Sequence, residues 1–595
     1  MRRRFRQNLI KIAQEIREKI CTVVAKNGGH LASNLGIIEL TIAIHKVFQS
    51  PRDKIIFDVS HQCYAHKILT DRDAQFSTLR KTDGISGFTS PEESAHDVFY
   101  CGHAGTALST ALGFATARDL QNQNYHIIAI LGDAALTNGL TLEALNNIAN
   151  KKIIIVLNDN GYAIANNVGC IAKYLNSIIC SNIYNKTKIK LKCFLRKLPF
   201  GTTVIHSLSR LKRRIKSLIL PSSFFEYYGL RYIGPIDGHN FEELFDALEC
   251  SKKERRPVLL HVKTKKGHGN RNVESAPEKH HGVSPYACSG YSKIFGNELC
   301  QLAEENKKIV AITAAMASGT GLEAFQKKFP KRFFDVGIAE EHAVAFAAGL
   351  SKAGLFPVCA IYSTFLQRAF DQVFHDIALQ NLPCLIAIDR AGLCANDGPT
   401  HHGLFDIAYL KPLPNLILFQ PSDTEELKLM ISAAINWNKP CCIRYPRATY
   451  VTEIRSHCPI KLGKSEKIQE GSDYCIIALG EKVYTALQVA QVLSPYRGTI
   501  INARFIKPYD EEMLEECAQK YRFIYTIEDH VRTGGFGESV ACFLEEHNCT
   551  GNFHLFAWPD QFLPHASTDH DLEKLCHFTV RNIAKKIRSD LSGVD

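Results

Sequence analysis

Short, unbroken apolar runs recur along this chain: HIIAILGD at 126–133, KIIIVLND at 152–159, PCLIAIDR at 383–390 and DYCIIALG at 473–480. Runs of that length rich in Ile and Val suit strands buried on both faces of a parallel sheet; half-exposed strands would alternate polar and apolar residues. Helix-length amphipathic stretches lie between them, as strand–helix–strand crossovers require. The pattern predicts an α/β protein. The opening MRRRFRQNLIKIAQEIREKI sets Ile among Lys, Arg and Glu and predicts an amphipathic helix. It has no signal-type apolar core, and with no Ser and with Glu15 and Glu18 it suits a transit peptide poorly. No apolar run reaches the ~20 residues of a membrane helix. The richest stretch, 343–365, is broken by Lys352, so no membrane partner is expected.

The rhythm divides the chain into three blocks, 1–285, 286–455 and 456–595, the second and third meeting in the polar junction VTEIRSHCP. Each is read as a mostly parallel sheet flanked by helices. A chain of 595 residues is too long for one core, which fits several domains.

The most specific local signal is ILGDAALTNGLTLEALNNI followed by KKIIIVLNDNGYAI. One buried strand ends just before Asp133 and the next just before Asn160, at the carboxyl edge where open α/β sheets bind ligands. A carboxylate, a carboxamide and a backbone carbonyl are the hard oxygen donors that magnesium takes beside diphosphate oxygens. Taken singly, Gly-Asp and Asn-Asp-Asn are ordinary turn residues. Together at this spacing they look like the thiamin-diphosphate motif, with Ala134 in place of its second glycine. That resemblance makes Asp133, Asn160 and the Tyr162 carbonyl the metal ligands.

Further motifs follow in order: GGHLASNLGIIEL at 28–40, FDVSHQCYAHKILT at 57–70, CGHAGTALS at 101–109, GPIDGHN at 234–240, FDVGIAEEHAVAFAAGL at 334–350, IYSTFLQRAFDQVFHD at 361–376, IDRAGLCANDGPTHHGLFD at 388–406 and CIRYPR at 442–447. They closely resemble the 1-deoxy-D-xylulose-5-phosphate synthase family of the transketolase superfamily, over essentially the whole chain. The resemblance implies three transketolase-like domains, with thiamin diphosphate and Mg2+ held between the first and second, and a homodimer. It implies condensation of pyruvate with D-glyceraldehyde 3-phosphate and release of CO2, the first step of non-mevalonate isoprenoid precursor synthesis, feeding thiamin and pyridoxal as well.

It also implies roles. Glu340 matches the glutamate that bonds the aminopyrimidine ring and promotes loss of the thiazolium proton; Glu341 stands where Gln is common. His30, His61 and His401 match histidines that serve cofactor and substrates, whereas His402 matches none. Gly102, His103, Ala104, Ala134, Ala135 and Lys266 fall on cofactor-binding positions, and Phe365 on the ring that stacks on the aminopyrimidine. Tyr362, Arg368, Arg390 and Arg444 are expected at the substrate phosphate, where arginine's planar fork suits phosphate oxygens, with Asp397 orienting the substrates. Five positions depart from the family: Ser60 for a glycine, Ala134 for a glycine, Gly161-Tyr162 for Glu-Met, and Asn270 for a tyrosine that contacts the cofactor. An alternative is another transketolase-type transferase using thiamin diphosphate.

Composition changes the picture at one point only. The formal charge is +11, yet residues 161–225 hold twelve Lys and Arg and no Asp or Glu, which leaves 11 − 12 = −1 for the rest. The basic insert, about 165–225, reads first as a solvated surface segment. A catalytically weakened homologue whose insert binds a polyanion is the other alternative, and a nucleic-acid partner is not expected. The twenty cysteines include no Cys-x-x-Cys pair, which fits a reducing cytosol, so a cytoplasmic location is expected.

Overall fold

The opening pattern fixes the first helix, Arg3–Asn27, whose Leu9, Ala13, Ile16, Ile20 and Val24 recur at three- and four-residue steps and are all buried. The computed structural model describes residues 3–148, 150–162, 169–180, 223–283, 290–447, 457–549 and 551–593. Apart from 169–180 and 223–225, the basic insert expected at 165–225 lies outside the described residues. The chain forms two compact units, one of residues 1–79 and 85–285, the other of 80–84 and 286–595.

The first unit is built on β1 (Lys54–Phe57), β2 (Ile127–Gly132), β3 (Ile154–Asp159), β4 (Arg231–Asp237) and β5 (Val258–Lys263), in the order β1-β2-β3-β5-β4 and parallel throughout. The apolar runs read from the sequence are β2 and β3, buried along nearly their whole length. Helix Ala107–Leu120 makes the β1–β2 crossover, and Phe241–Lys253 that of β4–β5. The latter is capped by the Asn240 side chain, with Glu242 and Glu243 in its first turn and Lys252 and Lys253 in its last, each charge placed to suit the helix dipole. Because β2, β3 and β5 are neighbours, the segments just past their ends, at Asp133, Asn160 and Lys266, share one edge.

The second unit holds two sheets. One contains β6 (Ile309–Thr313), β7 (Phe333–Asp335), β8 (Phe356–Tyr362), β9 (Cys384–Asp389), β10 (Ile417–Phe419) and β11 (Pro440–Tyr445). The other contains β12 (Glu466–Gln469), β13 (Tyr474–Ala478), β14 (Gly498–Asn502), β16 (Phe523–Val531) and β17 (Asn552–Trp558). The short β15 (Phe505–Lys507), from the third block, pairs antiparallel with β10 and closes the edge of the first of these sheets, giving β15-β10-β11-β9-β8-β6-β7. The second sheet runs β12-β14-β13-β16-β17, with only β12 antiparallel. One hydrophobic core runs through both, from Ile361 and Ile388 to Ile477 and Ile501.

Candidate active site

In the first unit the chain past β2 enters a 3₁₀ turn, Asp133–Thr137, that holds Asp133, Ala134 and Ala135. The buried Asp133 carboxylate accepts N–H bonds from Ala134 at 2.9 Å, Asn160 at 3.1 Å and Gly161 at 2.6 Å. Asn160 Oδ1 in turn accepts the Tyr162 N–H at 3.0 Å. Gly161 has φ of +79°, which glycine adopts without strain. Asp133, Asn160 and Tyr162 are thus gathered into one hydrogen-bonded turn. A Cβ on Gly132 would meet nothing within 4 Å, so room is left beside Asp133.

Lys266 is buried beside this turn, its Nζ 5.7 Å from the centre of the Tyr162 ring. Burial lowers its pKa to about 8, against the pull of Asp133. The Gly102–Ala104 loop is fixed at its end by Asp58, which accepts the Gly105 N–H at 2.9 Å and 3.0 Å and the Ala107 N–H at 3.2 Å. His30 and His61 lie with ring centroids 5.4 Å apart, and both contact His281 at 5.5 Å and 5.4 Å. Burial, with the nearby Lys266, holds the His281 pKa well below the ordinary histidine value. His281 escaped the sequence reading because it sits in an aperiodic segment; the His280-His281 pair was its only signal.

In the second unit Glu340 opens helix Glu340–Lys352 and is 2% exposed. Its Oε2 is buried without a hydrogen-bond partner among the described residues. Burial raises its pKa to about 7; Arg368 works against the rise and Glu341 adds to it. Past the ends of neighbouring strands, Tyr362 stacks with Phe365 at 5.8 Å, Phe365 meets His401 edge-on at 5.7 Å, and the Arg390 guanidinium lies 3.7 Å over the Tyr362 ring. His401 Nδ1 is 2.8 Å from Thr400 Oγ1. His402 is buried, accepting the Cys394 N–H on Nδ1 at 3.0 Å with Nε2 3.3 Å from the Pro564 carbonyl, a structural role.

Arg444 requires a correction. It lies inside β11, wholly buried, and donates to Asp406, Gln420 and the carbonyls of Gly403 and Asp529. Its Nε, Nη1 and Nη2 all donate within the fold, and the side chain is wholly buried, away from any substrate phosphate at the sheet edge. Arg447, in the same RYPR run but two residues past the strand end, is the arginine at the edge: its Nη1 is 3.7 Å from Asp397 Oδ2, and Arg80 reaches Asp397 Oδ1 at 2.9 Å. The signal that separates the two arginines is the strand end, because ligand-facing residues follow it.

Each cluster has its own fit. The first unit's oxygen donors suit magnesium and its buried cation suits diphosphate; the second unit's buried carboxyl, with one oxygen lacking a hydrogen-bond partner among the described residues, suits a ring nitrogen. A family model described as 1-deoxy-D-xylulose-5-phosphate synthase matches residues 1–264, one for the transketolase pyrimidine binding domain matches 289–452, and one for the transketolase C-terminal domain matches 463–583. The 1-deoxy-D-xylulose-5-phosphate synthase of Natranaerobius thermophilus is 46% identical over 607 residues, 99% of this chain and 96% of that protein. That of Aquifex aeolicus is 46% identical over 605 residues, with the same shares. The chain belongs to the 1-deoxy-D-xylulose-5-phosphate synthase family.

Membership makes it a transketolase-type, thiamin-diphosphate-dependent transferase, and the structure explains two departures from the family's pattern. The glycine replaced by Ser60 occupies a left-handed position, with φ of +63°. Ser60 offsets the strain by donating to the Cys101 carbonyl at 3.3 Å and accepting the Thr89 N–H at 3.0 Å. Asn270, in place of tyrosine, caps helix Arg271–Ser275 by accepting the Val273 N–H. Its side chain is engaged in a local cap.

Proposed function

We propose that the two clusters divide the labour of the family's reaction. The chain condenses pyruvate with D-glyceraldehyde 3-phosphate to 1-deoxy-D-xylulose 5-phosphate and CO2, at the head of isoprenoid precursor synthesis. The observation that carries the reading is Glu340: a buried carboxyl with a bare oxygen and a pKa of about 7. When bound, thiamin diphosphate supplies a carbon nucleophile able to hold the electron pair left as CO2 departs. Asp133, Asn160 and the Tyr162 carbonyl would hold Mg2+, and Lys266, Ala134, Ala135 and the Gly102–Ala104 loop would hold the diphosphate. Glu340, able to give or take a proton near neutrality, would bond the aminopyrimidine, and Phe365 would lie against that ring. His30, His61 and His401 exchange protons with the reacting oxygens. Tyr362, Arg390, Arg368 and Arg447 receive the substrate phosphate, and Asp397, gripped by Arg80 and Arg447, orients the substrates.

The same reading includes three domains over 1–285, 286–455 and 456–595, a homodimer and a cytoplasmic location. A reducing compartment is supported by the cysteines, all free among the described residues. No helix among the described residues is long and apolar enough to cross a membrane. The test is an assay of product from pyruvate and glyceraldehyde 3-phosphate, with thiamin diphosphate and Mg2+ added or withheld. Product is expected only with both. Ketose-phosphate donation without pyruvate decarboxylation would instead indicate a transketolase.

A further inference from the structure

The GPIDGHN motif contributes no residue to the clusters above, yet the structure gives it a place. In the sheet Asp237 pairs with Lys263, so His239, two residues past β4, faces Lys265, two residues past β5. His239 Nε2 accepts the Lys265 N–H at 2.9 Å, which requires that nitrogen to carry no proton. Its Nδ1 then donates to Glu39 Oε2 at 3.1 Å. The other Glu39 oxygen takes Arg17 Nη2 at 2.5 Å, and Arg17 Nε donates to the His268 carbonyl at 2.9 Å. The His239 and His268 rings stack at 3.6 Å. Gly269 has φ of +83°, and a Cβ there would come within 2.4 Å of Arg17 Nε, so the loop closes down on the guanidinium.

A cation at Glu39, His239 and His268 is an alternative, since their ligand atoms lie within 4.8 Å of one another. Arg17 already occupies Glu39, and a backbone N–H occupies His239 Nε2. The cluster is a bracket around residues 265–269, and Lys266 lies within it. We infer that His239, held by Glu39 and Arg17, is a positioning residue that fixes the Lys266 loop for the cofactor's diphosphate. The inference rests on the assignment of Lys266 to the diphosphate.

The experiment is a double-mutant cycle, read as the affinity of the full chain for thiamin diphosphate with Mg2+ and for inorganic diphosphate, by titration calorimetry. His239→Ala is expected to weaken both by about tenfold, with the circular dichroism spectrum of the ligand-free chain unchanged. His239→Gln, whose side-chain oxygen reaches the place of Nε2, is expected to restore most of the affinity. Because His239 acts through Lys266, the double variant with Lys266→Ala is expected to bind no more weakly than Lys266→Ala alone. Additive losses, or no rescue by glutamine, would overturn the positioning role. Unchanged affinity in Lys266→Ala would remove the Lys266 assignment itself, and this inference with it.

Discussion

The two clusters use carboxylates in opposite ways. In the first unit Asp133 is surrounded by donors, with three backbone N–H groups on its oxygens and a buried lysine alongside. In the second, Glu340 is equally buried but keeps a bare oxygen and is pushed up to about 7. Asp389, at the end of β9, is likewise raised by burial to about 6, against the pull of Arg390. The two proposed roles differ in what they call for: a metal diphosphate needs oxygens locked in place by backbone, whereas moving a proton needs a carboxyl whose charged form is poorly solvated. The same chemical group is steered to either task by how many donors the fold aims at it.

The largest test of this contrast removes the proton exchange and keeps the shape. Glu340→Gln should lower turnover by about 10²–10⁴-fold in steady-state assays, with the circular dichroism spectrum unchanged; normal turnover would end the assignment. A second test separates the two arginines of RYPR. Arg444→Ala strips a buried ion pair from Asp406 and should cost about 3–5 kcal/mol in denaturant unfolding. Arg447→Ala should leave the unfolding midpoint in place and raise KM for glyceraldehyde 3-phosphate. The opposite pattern would reinstate Arg444 as the phosphate ligand.

That pair of arginines shows what the sequence carries and what it lacks. The apolar runs announced β2, β3, β9 and β13, and Asp133 and Asn160 were legible because each directly follows such a run. Resemblance located the RYPR motif but could not say where β11 stops, and so chose the buried arginine. His281 was invisible because nothing periodic surrounds it. The crossing of β15 into its neighbour's sheet depends on a partner some 90 residues earlier in the chain, at β10. The left-handed turn at Ser60 is a backbone fact that a serine does not advertise. Strand ends are local and readable, while contacts between distant segments are not.

The raised carboxyl also marks stability. The folded-state pKa of Glu340 is about 7 against an ordinary 4.5, so between those values the folded chain binds more protons than the unfolded one. Stability is therefore fully present below about pH 4.5 and falls as pH rises through 7, by about 3 kcal/mol in all. Glu340→Gln should remove that loss, making the inactive variant more stable than the parent at pH 8 and equal to it at pH 4. A parent and variant with parallel pH–stability curves would contradict the bare, desolvated carboxyl. For the first unit, Asp133→Ala should weaken Mg2+-dependent binding of thiamin diphosphate by about 100-fold in calorimetry. Unchanged affinity would mean the metal site lies elsewhere.

The smallest effect falls at Ser60, in a left-handed turn of the first unit. At φ of +63° a side chain costs about 1 kcal/mol relative to glycine, and each hydroxyl bond returns about 1 kcal/mol. Ser60→Ala keeps the strain, loses both bonds and deprives the buried Thr89 N–H of its acceptor, so a loss of about 1–3 kcal/mol is expected. Ser60→Gly loses the same bonds but releases the strain, and should fall short of the parent by about 1 kcal/mol less than alanine does. Urea unfolding of the three chains measures the ordering serine, glycine, alanine. If glycine and alanine are equal, the left-handed turn before His61 is not what the serine is holding; if glycine wins outright, the hydroxyl bonds do not offset the strain.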